Sequence, residues 1–434
     1  MRRPRLNLSG TIAPLYLNQL FTFVASVVTI PFLTRTLTLP AWGQLAFAQS
    51  FAAFAAIFIE YGFTFSGTRQ VAETRTDPAR LSRVLSGVQG AKLVLALCVV
   101  GACCILRCFI PLLASSPLLF WASLLWAIGQ AMNLTWFFLG LERISTITGI
   151  DLTFRLAATG AIFLLVHGPL DAWKVLGLQA AAMILSAAIC WGVAARGLPA
   201  SWPSPSSVGE ALRQGRAAMV FRAAESSYTA GGPMFLGLFC DASAVGIYAG
   251  AEKICRGVML SVLEPLQRSL YASVTNTMQL SPAAARSLVR RGAIWTVLLA
   301  TCMSLGVFAL APYIVRIALG AAFLPCAGPL RILCVLPPAI ALKWSIGIHW
   351  MMPAGLGHQF ARIVTGSCVL YIALGVWLAG TAGAVGMAVT AAVVELAIPL
   401  ACAVSTQRAG MSLLEHGRGF PELVNSSSSV SSAQ

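Results

Sequence analysis

The residues with chemistry to offer are charges placed where an apolar chain should have none. Residues 247–270, IYAGAEKICRGVMLSVLEPLQRSL, sit in strongly apolar sequence yet carry Glu252, Lys253, Arg256, Glu264 and Arg268. Tyr248, Glu252, Arg256, Glu264 and Arg268 are separated by four residues or a multiple of four. On a helix they form one slanted stripe that drifts about 40° per step, with Lys253 off it. Glu252 with Arg256 and Glu264 with Arg268 are Glu-first i,i+4 pairs, the favourable order. Upstream, Arg222, Glu225 and Tyr228 are three apart and share another helix side. Lys343 follows Pro337-Pro338, a pair that interrupts a helix. In the first half the polar counterparts are Lys92, Asp151 and Arg155, with Asn18 and Gln19.

Charge at membrane depth is costly and turns toward a bundle interior or a watery cavity. Basic residues lining a pore suit an anionic substrate. An acid beside cations, here Glu225 or Glu252, can switch the local balance by taking up a proton. A plainer reading stands beside this one: the Glu–Arg pairs neutralise each other and hold helices together. Arg222 is also close enough to a span end to snorkel. Glu60 and Glu395 read first as satisfied helix contacts and second as proton carriers, and His349 and Trp350 are expected at the membrane interface.

The elements that position these residues are membrane spans. The chain has 434 residues, 58% hydrophobic and 10% charged, with a mean hydropathy of +0.81. Soluble domains carry roughly 25% charged residues, so the class is an all-α polytopic membrane protein. Apolar runs of about 20 residues, each able to cross a ~30 Å hydrocarbon core, place about twelve spans. They fall near 11–33, 42–63, 84–109, 117–139, 147–166, 172–195, 217–239, 244–271, 292–312, 327–350, 361–379 and 383–405. The longest connections are 65–83, 196–216 and 272–291, and the Ser-rich end is read as a disordered tail over 411–434. The basic N-terminus lacks a small-residue cleavage site, so the first span reads as retained. Arginines such as Arg3, Arg69, Arg80, Arg143, Arg213, Arg291 and Arg408 gather on one side. Arg35, Arg107, Lys174 and Arg316 fall on the other, which places both termini in the cytoplasm.

Residues 33–51 align without gaps on 236–254, with Gly43 on Gly246 and Gln49 on Glu252. Both stretches join a first to a second helix of a six-helix half. The expected architecture is an N-terminal lobe over 1–200 and a C-terminal lobe over 201–410, around a central cavity. Much is excluded. The +15 formal charge is scattered among spans and forms no basic domain, so nucleic acid is not an expected partner. HExxH, GxSxG and P-loop patterns are absent, and the twelve cysteines include no CxxC pair. No cofactor or metal is expected. A membrane polymerase or ligase would display a large outer loop, and no outer loop here exceeds about 20 residues.

The stretch YGFTFSGTRQVAETRTDPARLSRVLSGVQGAKLVL, residues 61–95, resembles the O-antigen and polysaccharide flippase family. The resemblance rests on Tyr-Gly-Phe at the end of the second span, Thr68-Arg69 in the connection, and Lys92 in the third span. VGIYAGAEKICR, 245–256, is similar to the same family's signature, with Gly246, Tyr248, Glu252 and Lys253 matching. Ala272 departs from it, standing where a proline is expected. The resemblance implies twelve helices in two six-helix lobes, in a bacterial inner membrane, and no enzyme. It implies an undecaprenyl-diphosphate-linked oligosaccharide as substrate, moved from the cytoplasmic to the periplasmic leaflet. It also brings in a polysaccharide polymerase and a chain-length regulator as candidate partners. Under it, Lys92, Arg155, Arg222, Lys253, Arg256 and Lys343 are the expected partners of the diphosphate, and Tyr228 stacks on sugar. Glu225 or Glu252 would couple transport to an ion gradient. The alternative is a cation-coupled drug or metabolite antiporter of the same superfamily. Such exporters usually keep an acid in the first helix, where this chain has only Asn18 and Gln19.

Overall fold

In lipid a backbone must satisfy its own hydrogen bonds, and a helix does so within one segment. The computed structural model describes residues 24, 25, 27–411 and 413, and every regular element among them is helical. Asn18, Gln19, most of the first expected span and nearly all of the 411–434 tail lie outside the described residues. The long helices are α1 (27–36), α2 (Leu39–Glu60), α3 (Pro78–Arg107), α4 (Pro117–Ala131), α5 (Ile144–Leu165) and α6 (Ala172–Ala195). They continue as α7 (Pro205–Thr229), α8 (Ala242–Leu280) and α9 (Pro282–Ala318). Next comes α10, built from Ala327–Leu333, Leu336–Lys343 and the π-helical Trp344–Met351. The final stretch, Gly357–Arg408, is two limbs, α11 and α12, parted at Gly383 with φ 55° and ψ −130°. Among the described residues, eight helical stretches are long and apolar enough to cross a membrane. The charge-bearing α7 and α8 are not among those eight.

The three longest connections expected from sequence are largely helix. Each holds a polar residue followed by proline. The Asp77 carboxylate accepts the Ala79 and Arg80 amides. Ser204 forms a capping box with Ser207, and the Ser281 hydroxyl accepts the Ala284 amide. Such caps satisfy amides that the first helical turn leaves open, and proline fits there because it has no amide to satisfy. As a result α8 is 39 residues long, about 58 Å at 1.5 Å per residue, and runs without a break through Ala272.

At the end of α2 the Tyr-Gly-Phe motif breaks the helix, with Tyr61 at φ 51° and Gly62 at φ 78°. The Glu60 carboxylate accepts the Gly62 and Thr64 amides at 3.1 and 2.6 Å, which starts the short helix Phe63–Thr74. In α10, Pro337-Pro338 opens a new helical segment, and i→i+5 bonding follows, as in Met352 N–H to the Gly347 carbonyl at 3.1 Å. His349 and Trp350, expected at the level of the membrane interface, are enclosed by protein, 1% and 0% exposed. The wider π turn carries them into protein, where the Trp350 indole donates to the Met411 carbonyl.

In the first lobe α4 packs on α6, α5 on α6 and α2 on α4. In the second, α8 packs on α9, and α7 on the Gly357–Arg408 helix. The lobes meet where α2 runs along α8 and where α7 runs along α3 and α2. The repeat partners Gly43 and Gly246 face each other at this seam. A Cβ on Gly43 would collide with the Ala242 carbonyl, and one on Gly246 would stand 2.6 Å from the Leu39 carbonyl oxygen. At the other end of α2, a Cβ on Gly215 would stand 2.6 Å from the Tyr61 carbonyl oxygen, and one on Gly62 2.6 Å from the Ala218 Cβ. The two contacts are about 28 Å apart along α2, so α2 is clamped to the second lobe at both ends. Gly43→Ala should therefore lower thermal stability by about 1–3 kcal/mol, the usual range for overpacking. Gly101→Ala, where nothing lies within 4 Å of the added atom, should leave the detergent-solubilised melting temperature unchanged or raise it.

Candidate substrate cavity

Two adjoining cavities lie between the first lobe and helices α7 and α8, and Trp126 and Arg155 line both. The first, of about 370 Å³, is lined by Glu60, Lys92, Asn133, Asp151, Arg155, Arg222 and Ser226, among others. The second, of about 250 Å³, includes Trp42, Gln49, Arg155, Gln179 and Lys253. Among the described residues, four cations and two carboxylates, Glu60 and Asp151, face this space. The walls are therefore net positive.

Each cation is held differently. Lys92 is 1% exposed; its ammonium donates to the Ala131 carbonyl at 2.7 Å and the Asn133 carbonyl at 3.3 Å and lies 5.7 Å from the Trp136 ring centre. Both carbonyls sit at the end of α4, where peptide dipoles favour a cation. Arg155 is bonded to Asp151 one helical turn away at 2.8 Å. Lys253 reaches across the seam to the Gln49 amide oxygen at 2.9 Å and over the Trp42 ring at 5.2 Å. Arg222 is half-buried, and its Nε has no hydrogen-bond partner. Among the described residues, Lys92, Arg222 and Lys253 make no ion pair with a carboxylate.

The remaining expected site residues lie elsewhere. Arg256 is bonded to Glu252 at 3.0 Å within α8. Lys343 of α10 is bonded to Glu395 of α12 at 2.8 Å, with both side chains nearly fully buried. The same ammonium lies 5.2 Å from the ring centre of Tyr228, which is 4% exposed and lines neither cavity. This second cluster, Glu252–Arg256 and Lys343–Glu395, carries two charges of each sign. Glu225 lines neither cavity and makes no ion pair among the described residues; its backbone carbonyl accepts the Thr229 hydroxyl. The structure thus brings together Lys92, Arg155, Arg222 and Lys253, and separates them from Arg256, Lys343 and Tyr228. Reading for charge alone passes over Trp126, which donates to Gln179 at 3.2 Å, and over Trp42 and Asn133. Their signal was uncharged polarity inside apolar spans, at positions no motif marks.

Fold and cavity define a class: an all-helical polytopic membrane protein with a polar cavity system between its helices. Residues 10–277 match the family described as "Polysaccharide biosynthesis protein", and the chain belongs to that family. It is 23% identical over 386 residues to a protein of Escherichia coli (strain K12) described as "Putative O-antigen transporter", covering 86% of this chain and 90% of that one. A protein of the same description from Shigella dysenteriae is 23% identical over 392 residues, covering 88% and 95%. Among solved structures, an inward-facing multidrug resistance MATE family transporter of the MOP superfamily superposes with a TM-score of 0.61 at 13% identity, covering 91% of this chain and 99% of that one. Lipid II flippase MurJ, in an inward closed conformation, does so with a TM-score of 0.61 at 13% identity, covering 90% and 87%. At those identities the likeness is one of fold.

The buried Lys343–Glu395 bond makes its own prediction. Removing one partner strands a buried charge, which costs about 3–5 kcal/mol, whereas replacing both by apolar groups is close to neutral. Lys343→Met and Glu395→Leu should each lower the melting temperature strongly, and the double variant should recover most of the loss in a double-mutant cycle.

Proposed function

We propose that the protein is a flippase for a lipid-linked saccharide, carrying an undecaprenyl-diphosphate-linked repeat unit across the bacterial inner membrane. The coarser statement, a polytopic membrane protein of the polysaccharide biosynthesis family, follows from family and fold, and the similar O-antigen transporters support the transport reading. One observation carries the finer one: Lys92, Arg222 and Lys253 face a shared cavity system without a carboxylate partner, in a protein that pairs most of its other deep charges. A diphosphate supplies the missing anion. The arginine fork matches phosphate oxygens in pairs, and lysines add point charges. Arg155 contributes the part of its guanidinium that Asp151 does not take. The isoprenoid tail stays in the bilayer, and the lobes, divided at about residue 200, rock about the cavity to expose it to each side in turn. Both termini, including the 411–434 tail, face the cytoplasm; a polysaccharide polymerase and a chain-length regulator are candidate partners. The O-antigen transporters to which the chain is similar support this choice of cargo.

The drug or metabolite antiporter reading fits less well, since a cavity for cations should be acidic. For energy, Glu225 and Glu252 are the proposed ion-coupling carboxylates. Glu252 is already engaged with Arg256, so protonating it would free that cation. Arg256, Lys343 and Tyr228 enter the proposal as second-lobe groups that such a change would reach.

Lys92→Ala, Arg222→Ala and Lys253→Ala should each reduce export of surface polysaccharide about tenfold, the equivalent of one charge-assisted hydrogen bond. Membrane insertion, followed by immunoblot of the membrane fraction, should be unchanged. Wild-type export in all three would remove the cavity from the mechanism. Glu225→Gln and Glu252→Gln test the coupling separately: if dissipating the proton or sodium gradient stops wild-type export, at least one of the two should export at a gradient-independent, reduced rate. Normal, gradient-dependent export in both would exclude them.

A further inference from the structure

A cavity of about 540 Å³ lies between α3, the end of α6 and the connection that leads into α7. It shares no lining residue with the two charged cavities. Ser82, Leu85, Ser86, Gln89, Gly90 and Leu93 form one wall. Their i, i+3, i+4, i+7, i+8, i+11 spacing puts them on one face of α3. Trp191 and Ala195 of α6 stand opposite, and residues 198–203 close the space. That connection is held on α3. The Ser82 hydroxyl donates to the Pro199 carbonyl at 2.6 Å, and the Ser86 and Ser201 hydroxyls are bonded at 3.2 Å. A Cβ on Gly90 would stand 2.5 Å from the Pro203 Cβ.

The α3 wall is graded. Its first turns offer Ser82, Ser86 and Gln89, and Leu93 lies about 16 Å beyond Ser82 at 1.5 Å per residue. Leu93 is 57% exposed, and the exposed Val94 and Leu97 continue the apolar surface beyond it. At the other end Trp202 is 90% exposed, as suits an indole at the headgroup level of a bilayer. Gln89 is 8% exposed, lines the cavity, and has no hydrogen-bond partner among the described residues. Its amide is not among the polar groups sealed inside protein, so what surface it keeps opens on the cavity. No charged side chain lines the space. Arg83 follows Ser82, and Arg196 follows Ala195; both are exposed. Neither makes an ion pair among the described residues, whereas nearby Arg80 is bonded to Asp77.

These features select a ligand with a long apolar limb, hydrogen-bond acceptors at its neck and a negative head. An anionic glycerophospholipid has all three. Its acyl chain would lie beside Leu93 and Trp191, where the slot meets the apolar surface. Its ester oxygens would take the Gln89 amide N–H groups. Its phosphate would sit between Arg83 and Arg196, whose long stems reach headgroup level. An isoprenoid diphosphate carries no acceptor below its phosphates and would leave Gln89 unbonded. A soluble metabolite would leave the apolar end empty.

We propose that this α3–α6 cavity binds one anionic glycerophospholipid of the surrounding bilayer, with its head under residues 198–203 and a chain alongside Leu93. The proposal does not depend on the saccharide cargo. In the test, the full-length protein in nanodiscs is exposed to phosphatidylglycerol bearing a diazirine in its acyl chain, and photoadducts are mapped by peptide mass spectrometry. Adducts should concentrate on residues 85–93 and 191–202. Unlabelled phosphatidylglycerol should displace them at least about fivefold better than phosphatidylethanolamine, the worth of one arginine at a lipid surface. Gln89→Leu, and Arg83→Gln combined with Arg196→Gln, should each lower these adducts about fivefold. Adducts around the exposed Trp295 and Tyr313 of α9 should stay constant. Should Gln89→Leu lower the melting temperature, the arginine double variant, altered only at exposed side chains, decides. Adducts spread evenly over the apolar surface overturn the proposal. So does equal displacement by phosphatidylethanolamine, or labelling that the variants leave unchanged. Undecaprenyl diphosphate that displaces the phosphatidylglycerol probe as well as phosphatidylglycerol itself assigns the slot to the transported lipid and also overturns it. Failure of this site leaves the flippase reading standing, because Lys92, Arg222 and Lys253 take no part in it.

Discussion

A charge inside an apolar chain must be neutralised, solvated or given a ligand, and the protein sorts its deep charges by that constraint. Arg155 and Asp151, Arg256 and Glu252, Lys343 and Glu395 are neutralised in pairs. Lys92 is solvated by carbonyls at a helix end, and Lys253 by an amide and an indole face. Arg222 retains an Nε with no protein partner. What pairing leaves over collects in the cavities at the lobe seam, contributed from both sides, so their positive character comes from cations that outnumber the carboxylates there.

The seam itself depends on small residues. Where Gly43 meets Ala242 and Gly246, and where Gly62 and Gly215 meet the opposite lobe, backbone lies against backbone. Such contacts give close packing without long side chains to disentangle. They suit the proposed alternating access, in which one of the two clamps on α2 would open while the other holds. Lys253 crosses the same seam to Gln49, so opening near that end would also change the setting of a cavity cation.

Much of the fold was legible because lipid permits so few solutions. Runs such as 84–109 and 172–195 declare their helices by length and apolarity alone. The 33–51 and 236–254 repeat aligns Gly43 with Gly246 as equivalent positions; that the two meet at the seam is a finding of the structure. The Asp77-Pro78, Ser204-Pro205 and Ser281-Pro282 caps are equally present in the sequence, but the polarity around them is also that of a loop and masks the capping signal. The burial of His349 and Trp350 was less accessible. It follows from a π turn, and a change in hydrogen-bond register leaves no period in the residues themselves.

The sequence by itself determined that this is an all-helical membrane protein, which helices carry charge, and which charges share a helix face, because those follow from hydropathy and from the 3.6-residue turn. The i,i+4 pairs Glu252–Arg256 and Asp151–Arg155 are of that local kind. Only the tertiary structure decided that Lys343 finds Glu395 fifty-two positions away, that Lys253 faces the first lobe, and that Arg222, Lys92 and Arg155 converge while Arg256 and Tyr228 do not. Those outcomes depend on how helices from distant parts of the chain rotate and pack against one another. Helical spacing fixes the face of each helix, and says nothing of what that face will meet.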